Sequence, residues 1–389
     1  MRTDVSVAHV IVNNLGGITS LVQNLILYKG DDALPQKLLL LDIAGNTNTA
    51  AIIDKDIRSE VTYFSLHPSD NWYYTYGKLA AALSKTEGVL VSNDQYDLIM
   101  LQAFNIRRKV VQLVHDSYNV ELSIRFHECI DLFIAHSRYI YELLVQRFPE
   151  RSDHIVHLPY GIPIAKNVQK KFNQHEPLKL LFLGRHDKAK GVYDLFEINR
   201  LLQEEKIPVE WIILGRGPET GTLKEQWKRA TNVTFCTPAT TAEVLEKALN
   251  SDVLVFPTKF EGFPVALLET MSMGCVPVVT DLPGGIRELV EDGVTGYKCS
   301  MDENELFAGK ISLLHHDRVH LRELQINAMQ KVAANYNAEI QMPAYQEAFL
   351  RLLEEKEPPH HHRVNLKIGS RLDQKWIPNF VTSVLRSLT

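Results

Sequence analysis

A chain of 389 residues that is 45% hydrophobic holds enough apolar side chain for more than one core, because single cores stop growing near roughly 250 to 300 residues. The formal charge of −5 and pI near 6.3 give no field that would gather nucleic acid. Cys129, Cys236, Cys275 and Cys299 form no CxxC pair, which argues against a zinc site or a disulfide framework and for a reducing compartment.

In chain order, VAHVIV, KLLLLDI, VTYFSL, LIMLQAF, VVQLVH, LFIAHS and IVHLPY read as short strands in the first 160 residues, separated by helix-length stretches. Such alternation predicts a parallel sheet. A polar, proline-bounded connector, GIPIAKNVQKKFNQHEPLK, follows, and LKLLFLG, VEWIILG, VTFCT, VLVFPT, CVPVVT and GYKC then repeat the pattern. The expected division is an N-terminal domain over 1–162, a second over 163–340, and a C-terminal portion, 341–389, made of a helix crossing back and a basic amphipathic tail. No run reaches the roughly 18 to 20 apolar residues of a membrane span, and the N-terminal run is too short and too polar for a signal peptide. A cytoplasmic protein is expected.

The tail has five cations, Arg363, Lys367, Arg371, Lys375 and Arg386, against Asp373, a surplus of four. Trp376, Ile377, Phe380, Val381, Val384, Leu385 and Leu388 fall on one helical face. Packing on the body is the expectation, and peripheral contact with the inner face of an anionic membrane is the alternative. The histidines 360–362 sit in a polar linker and are not taken as a metal site.

Two carboxylates, Glu261 and Glu269, lie eight residues apart in the apolar segment FPTKFEGFPVALLETMSMG. With VLVFPT as a strand and Pro264 as a first helical position, Glu261 falls in the loop before a helix N-terminus. Glu269 then lies about 7.5 Å along that helix at 1.5 Å per residue. A buried carboxylate needs donors, and a ribose diol would supply two to Glu269. The amides of Gly262, Phe263 and Val265, around Pro264 at the positive helix end, would receive hydroxyls or a phosphate, leaving Glu261 to hold a second polyol. The structural alternative is that Glu261 caps the helix and Glu269 pairs with a basic neighbour such as Arg287. A glycosidase pair is a further enzymatic alternative.

The loops after the other strands bear on the choice. LLFLGRHDKAKG puts Arg185 and Lys190 after the first strand of the second domain and ahead of a helix, a diphosphate site that needs no metal. WIILGRGPETG places Gly215 and Gly217 after the next strand, where a tight turn would let a base or ribose approach. The same stretch resembles a dinucleotide fingerprint, but VTFCT ends without the acid that would read a ribose. In the first domain Gly16 and Gly17 follow the first strand, where backbone can approach a ligand, and VVQLVHDSYN ends a strand at His115 and Asp116.

Taken together, GR with KG at Arg185 and Lys190, GRGPE at 215–219, the E-x7-E pair Glu261 and Glu269, and GCVPVVTDLPGGIRELVEDGVTGY resemble the retaining glycosyltransferases of family 4 over roughly residues 5 to 355. The resemblance implies the GT-B fold: α/β, two Rossmann-like parallel-sheet domains facing a central cleft, acceptor side first and donor side second. It implies catalytic roles for His115, Arg185, Lys190 and Glu261. Arg185 and Lys190 would neutralise the donor diphosphate, Glu269 would take the ribose hydroxyls and Glu261 the donor sugar. His115 would contact that sugar, and Gly16 and Gly17 would meet phosphate or acceptor. The base would lie beside the loop after VTFCT. Where the family carries NG at the interdomain crossing, this chain has YGIP, with Tyr160.

The expected function is retaining, metal-independent transfer of a sugar from a UDP- or GDP-linked donor to a glycan or lipid-linked acceptor, in cell-surface polysaccharide or lipopolysaccharide synthesis. No cofactor and no nucleic-acid partner is expected. The alternatives are a nucleotide-sugar epimerase or hydrolase of the same fold, and a non-catalytic sugar-nucleotide sensor.

Overall fold

A computed structural model describes residues 5–388 apart from 32, 47–49, 167, 171–175, 239 and 356–368. The chain divides into two compact units, residues 1–159 with 339–389, and residues 160–338. His360 to His362, Arg363 and Lys367 lie outside the described residues.

The first unit runs β1 (Val5–Val12), α1 (Gly17–Leu27), β2 (Gln36–Ile43), β3 (Val61–Leu66), α2 (Trp72–Leu83), β4 (Glu87–Ser92), α3 (Gln95–Ala103), β5 (Arg108–Val114), α4 (Ser117–Phe126), β6 (Leu132–Ala135), α5 (Arg138–Arg147) and β7 (Ile155–His157). Its seven strands are all parallel, in the order β3-β2-β1-β4-β5-β6-β7. Every residue of β5 is buried, including Arg108, Lys109 and Gln112, so this central strand shows no alternation of buried and exposed positions.

One strand assignment fails for the same reason. LIMLQAF lies in and just after helix α3, whose first turn is capped by the Asp94 carboxylate accepting from the Gln95 N–H at 2.6 Å. The strand in that part of the chain is the preceding EGVLVS, β4. Seven apolar residues do not distinguish a buried strand from a buried helix turn; the capping Asp94 carries the distinction.

The second unit contains β8 (Leu178–Leu183), α6 (Asp194–Glu204), β9 (Val209–Leu214), α7 (Thr220–Gln226), β10 (Val233–Cys236), α8 (Thr241–Leu249), β11 (Val253–Phe256), α9 (Val265–Ser272), β12 (Val276–Thr280), α10 (Gly285–Leu289), β13 (Tyr297–Cys299), α11 (Asn304–His316) and α12 (Arg318–Asn335). The sheet is parallel, in the order β10-β9-β8-β11-β12-β13. Both sheets reverse direction beside their first strand, at β1/β4 and β8/β11. Ligands of such sheets bind beyond the carboxyl ends of the strands at that reversal.

After the second unit come α13 (Ala338–Glu354) and α14 (Asn379–Ser387). The Tyr345 hydroxyl of α13 donates to the Leu158 carbonyl at 2.8 Å and lies 2.9 Å from His136 Nδ1, which ties the returning helix to the first unit. The tail helix is shorter than the apolar pattern implied: α14 begins at Asn379, so Trp376 and Ile377 precede it. Among the described residues no helix is long and apolar enough to cross a membrane, and all four cysteines are free thiols.

Candidate active site

At the β8/β11 reversal, the loop after β8 and the loop after β11 touch. Gly191 allows this: its φ of +66° is left-handed, and a Cβ there would lie 1.9 Å from the Pro257 carbonyl oxygen. The Lys259 N–H donates to the Ala189 carbonyl at 2.8 Å, locking the two loops. Asp187 caps the single turn Lys188–Lys190 by accepting from the Ala189 N–H at 2.9 Å.

That turn delivers the Lys190 ammonium to the β11 loop. Its Nζ donates to Glu261 Oε1 at 2.6 Å and to the Phe260 carbonyl at 3.3 Å, while Thr258 Oγ1 reaches the same carboxylate oxygen at 3.4 Å. The Glu261 side chain is only 11% exposed, so this pair is partly desolvated. Arg185 is open to solvent, at 52% exposure, with Nε 3.8 Å from Asp187 Oδ2. Lys190 and Glu261, read from sequence as serving different parts of a ligand, therefore share an ion pair.

Pro264 is the N-cap of α9 rather than its first helical residue, so the helix begins one position later than expected, and a proline side chain offers no cap of its own. The first-turn amides of an α-helix have no acceptor within the helix. At the other end Gly274, with φ +74°, donates to Met271, and Cys275 donates to Thr270, both at 3.0 Å, a glycine-terminated stop. The Arg287 half of the structural alternative does not occur. Glu261 is taken by Lys190, and Arg287 forks onto Asp281 at 2.8 and 3.1 Å instead of reaching Glu269.

Glu269 keeps a partly accessible edge, yet among the described residues no hydrogen bond or ion pair reaches its carboxylate. Burial with nothing to offset it pushes its pKa up to about 7. At neutral pH the group is poised between charged and neutral, as expected of a buried carboxylate that awaits donors.

The segment from Glu261 to Pro264 is held from behind. Phe263 stacks on Tyr160 with ring centres 5.0 Å apart and planes 3° from parallel, and Tyr336 packs at 5.9 Å. The Gly262 carbonyl accepts from the Gly285 N–H at 3.2 Å. A Cβ at Gly285 would fall 2.8 Å from Phe263 Cδ2 and 2.9 Å from its Cα. Sequence reasoning missed Gly285 and the Tyr160 stack; the Gly-Gly step ahead of a short helix was the available signal.

Gly215 and Gly217 have a packing reason for lacking a side chain. A Cβ at Gly215, where φ is +139°, would lie 1.9 Å from the Gly184 carbonyl oxygen, and one at Gly217 would lie 2.3 Å from that of His186. The imidazole of His186 completes the junction through Nδ1, 2.9 Å from Thr220 Oγ1.

At the β1/β4 reversal of the first unit a neutral, enclosed cluster of His115, Asn93 and Asn119 sits beside the carboxylates Asp94 and Asp116, which cap α3 and α4, while Gly16 is exposed. Gly16 is extended, caps α1 ahead of Gly17, and has open space where a Cβ would project. His115 is 5% exposed; its Nε2 lies 3.0 Å from Asn93 Oδ1, its N–H donates to Asn119 Oδ1 at 3.1 Å, and its ring stacks on His136 at 4.8 Å. Burial, then the neighbouring His136, holds the His115 pKa well below the usual histidine value. Asp116 caps α4, accepting from the Asn119 N–H at 3.0 Å.

Residues 164–332 match the family model for Glycosyl transferases group 1. That segment is a group 1 glycosyltransferase domain. Every second-unit candidate, from Arg185 to Glu269, lies within it. The chain is 30% identical over 173 residues to WcaL of Salmonella typhimurium, named as a colanic acid biosynthesis glycosyltransferase, covering 41% of this chain and 42% of that one. It is 27% identical over 188 residues to AmsK of Erwinia amylovora, an amylovoran biosynthesis glycosyltransferase, covering 46% of each. The matches thus span less than half the length of these curated relatives. Among solved structures, Anabaena HepE in complex with UDP-glucose aligns with a TM-score of 0.70 at 18% identity over 89% of this chain and 99% of its own. The lipopolysaccharide outer core galactosyltransferase WaaB aligns with 0.65 at 17% identity over 90% and 99%. The chain has the GT-B fold.

Proposed function

We propose that this chain is a retaining glycosyltransferase that moves a sugar from a nucleoside diphosphate donor to a glycan or lipid-linked acceptor in surface polysaccharide or lipopolysaccharide synthesis. The observation that carries it is the Lys190–Glu261 pair beside the N-terminus of α9, with the donor-free Glu269 carboxylate further along the same helix. The similarity to WcaL and AmsK supports a polysaccharide setting. HepE binds UDP-glucose, which favours uridine among UDP- and GDP-linked donors.

In this reading the donor diphosphate takes Lys190 from Glu261 and also meets Arg185, and the cations stabilise the charge that grows as the C1–O bond to phosphate breaks. The freed Glu261 carboxylate accepts hydroxyls of the donor sugar, and Glu269 accepts those of the ribose. The acceptor hydroxyl attacks C1 from the face the phosphate leaves, and its proton passes to the departing phosphate oxygen. Two cations at the diphosphate make a divalent metal unnecessary. An acceptor carried on lipid fits a peripheral protein at the inner membrane face, with the basic tail as the part making contact.

The test is transfer from radiolabelled UDP-glucose, UDP-galactose and the GDP-hexoses in EDTA, with lipid extract or oligosaccharide as acceptor, comparing wild type with Lys190→Ala and Glu269→Ala. Loss of transfer in both variants supports the reading. Full transfer in both contradicts it, and donor consumption at the same rate without acceptor makes the chain a hydrolase or epimerase.

A further inference from the structure

The tail docks on the first unit with its polar side. Asp373, 1% exposed, accepts from the Trp72 N–H at 2.9 Å, the Ser370 N–H at 2.6 Å and Arg386 Nη2 at 2.5 Å. Asn71 donates from its backbone to Asn379 Oδ1 at 2.7 Å and from its side chain to the Gln374 and Ile377 carbonyls at 3.0 and 2.8 Å. Asn379 Nδ2 returns a bond to Asp70 at 3.0 Å, and Thr382 is fully buried. With the polar side of α14 spent on the body, its apolar side faces outward. Trp376 is 79% exposed, Phe380 70%, Val384 56% and Leu388 78%, a row at four-residue spacing that continues from the preceding loop onto the helix.

We propose that this row is a docking surface for an anionic lipid bilayer. The charge around it selects that occupant. Between residues 369 and 388 the sole acid is Asp373, which is buried, while Arg371 and Lys375 are exposed and Lys375 directly precedes Trp376. A second copy of the chain is disfavoured, because a two-fold contact through this row would set Arg371 and Lys375 against their own counterparts. A tryptophan, a phenylalanine and aliphatic residues outside with cations at the margin is the composition of a helix lying in the headgroup region, and each basic residue there adds attraction to anionic lipid. The inference rests on the peripheral-membrane part of the reading above and is independent of the transfer chemistry.

The test is sedimentation of the full chain with vesicles of phosphatidylcholine alone and with a third phosphatidylglycerol, in low salt and in 0.5 M salt. Expected are binding to the anionic vesicles that salt weakens, a blue shift of Trp376 emission on binding, and at least tenfold weaker partitioning of Phe380→Ser/Val384→Ser. Those side chains are solvent-exposed, so the melting temperature of this variant should be unchanged. Absence of binding, equal binding to neutral vesicles, or a wild-type dimer that Phe380→Ser turns into monomer overturns the proposal. Sugar transfer to a soluble acceptor by the same preparations reads the active-site proposal separately.

Discussion

The two sheets share one strand order over six places, yet their reversal points hold opposite chemistry. At β8/β11 the groups are ionic and partly open: Arg185, the Lys190–Glu261 pair and the unsatisfied Glu269. At β1/β4 a neutral, enclosed cluster of His115, Asn93 and Asn119, hydrogen-bonded together with His115 stacked on His136, lies beside two capping carboxylates, Asp94 and Asp116. A common backbone leaves the choice of ligand to the loops. The ionic end suits a diphosphate whose charge rises during reaction, and the neutral end suits hydroxyls.

If that contrast is functional, the largest effect comes from removing a cation at the ionic end. Lys190→Ala should lower kcat by roughly 10² to 10³-fold, the usual loss when one preorganised charge-stabilising donor is removed. His115→Asn, which keeps a polar group at the neutral end, should cost much less. Steady-state kinetics on both variants checks this, and an equal loss would erase the contrast.

Next in size is Glu269→Gln, expected to raise the donor KM roughly tenfold to a hundredfold through loss of charge-assisted hydrogen bonds. For wild type the donor KM should rise as pH falls below about 7, where the Glu269 carboxylate takes up its proton, and the variant should lack that limb. The stability effect has the opposite sense. The folded chain holds this proton at a pH where the unfolded chain has released it, so stability declines as pH rises from the ordinary carboxylate range toward about 7. The variant should therefore be more stable than wild type by about 1 to 3 kcal/mol at pH 8 and equal to it at pH 4, allowing for the group's partial exposure. Denaturant melts at the two pH values measure the difference.

A smaller effect is expected at Gly285. An added methyl meets Phe263 below 3 Å, so Gly285→Ala should cost about 1 to 3 kcal/mol and displace the Glu261 loop; urea unfolding and donor KM together read it. Smallest of all is the titration of His115, whose ring NMR signals should stay those of the neutral form as pH falls from 8 to 6. A midpoint near 6.5 would show that the neutral end is wetter than its burial implies.

Much of this was legible from sequence because the fold repeats a simple unit. Strand–loop–helix alternation pointed to two parallel sheets, and the position of Arg185, Lys190 and Glu261 after strands put them at the carboxyl edge of the second sheet. Three things were not legible. LIMLQAF reads as a strand yet lies in and beyond α3, and the strand is the preceding EGVLVS, because short buried runs carry no periodicity. The Lys190–Glu261 pair joins residues 71 apart, and it depends on Gly191, whose need for a left-handed φ only the backbone reveals. The outward turn of Phe380, Val384 and Leu388 follows from polar contacts of Asp373 and Asn71, and helical periodicity alone places apolar residues inward.

The transfer chemistry turns on a proposed nucleoside diphosphate site on the second unit that works without a divalent metal. It is tested most directly by the melting temperature in EDTA with UDP, GDP, ADP and CMP, for wild type and Glu269→Ala. Ligand at 100 times its dissociation constant adds about 2.7 kcal/mol, enough to read. The account predicts that UDP or GDP raises the wild-type midpoint in EDTA and that Glu269→Ala abolishes the rise; no shift until magnesium is added, or an undiminished shift in the variant, would contradict it.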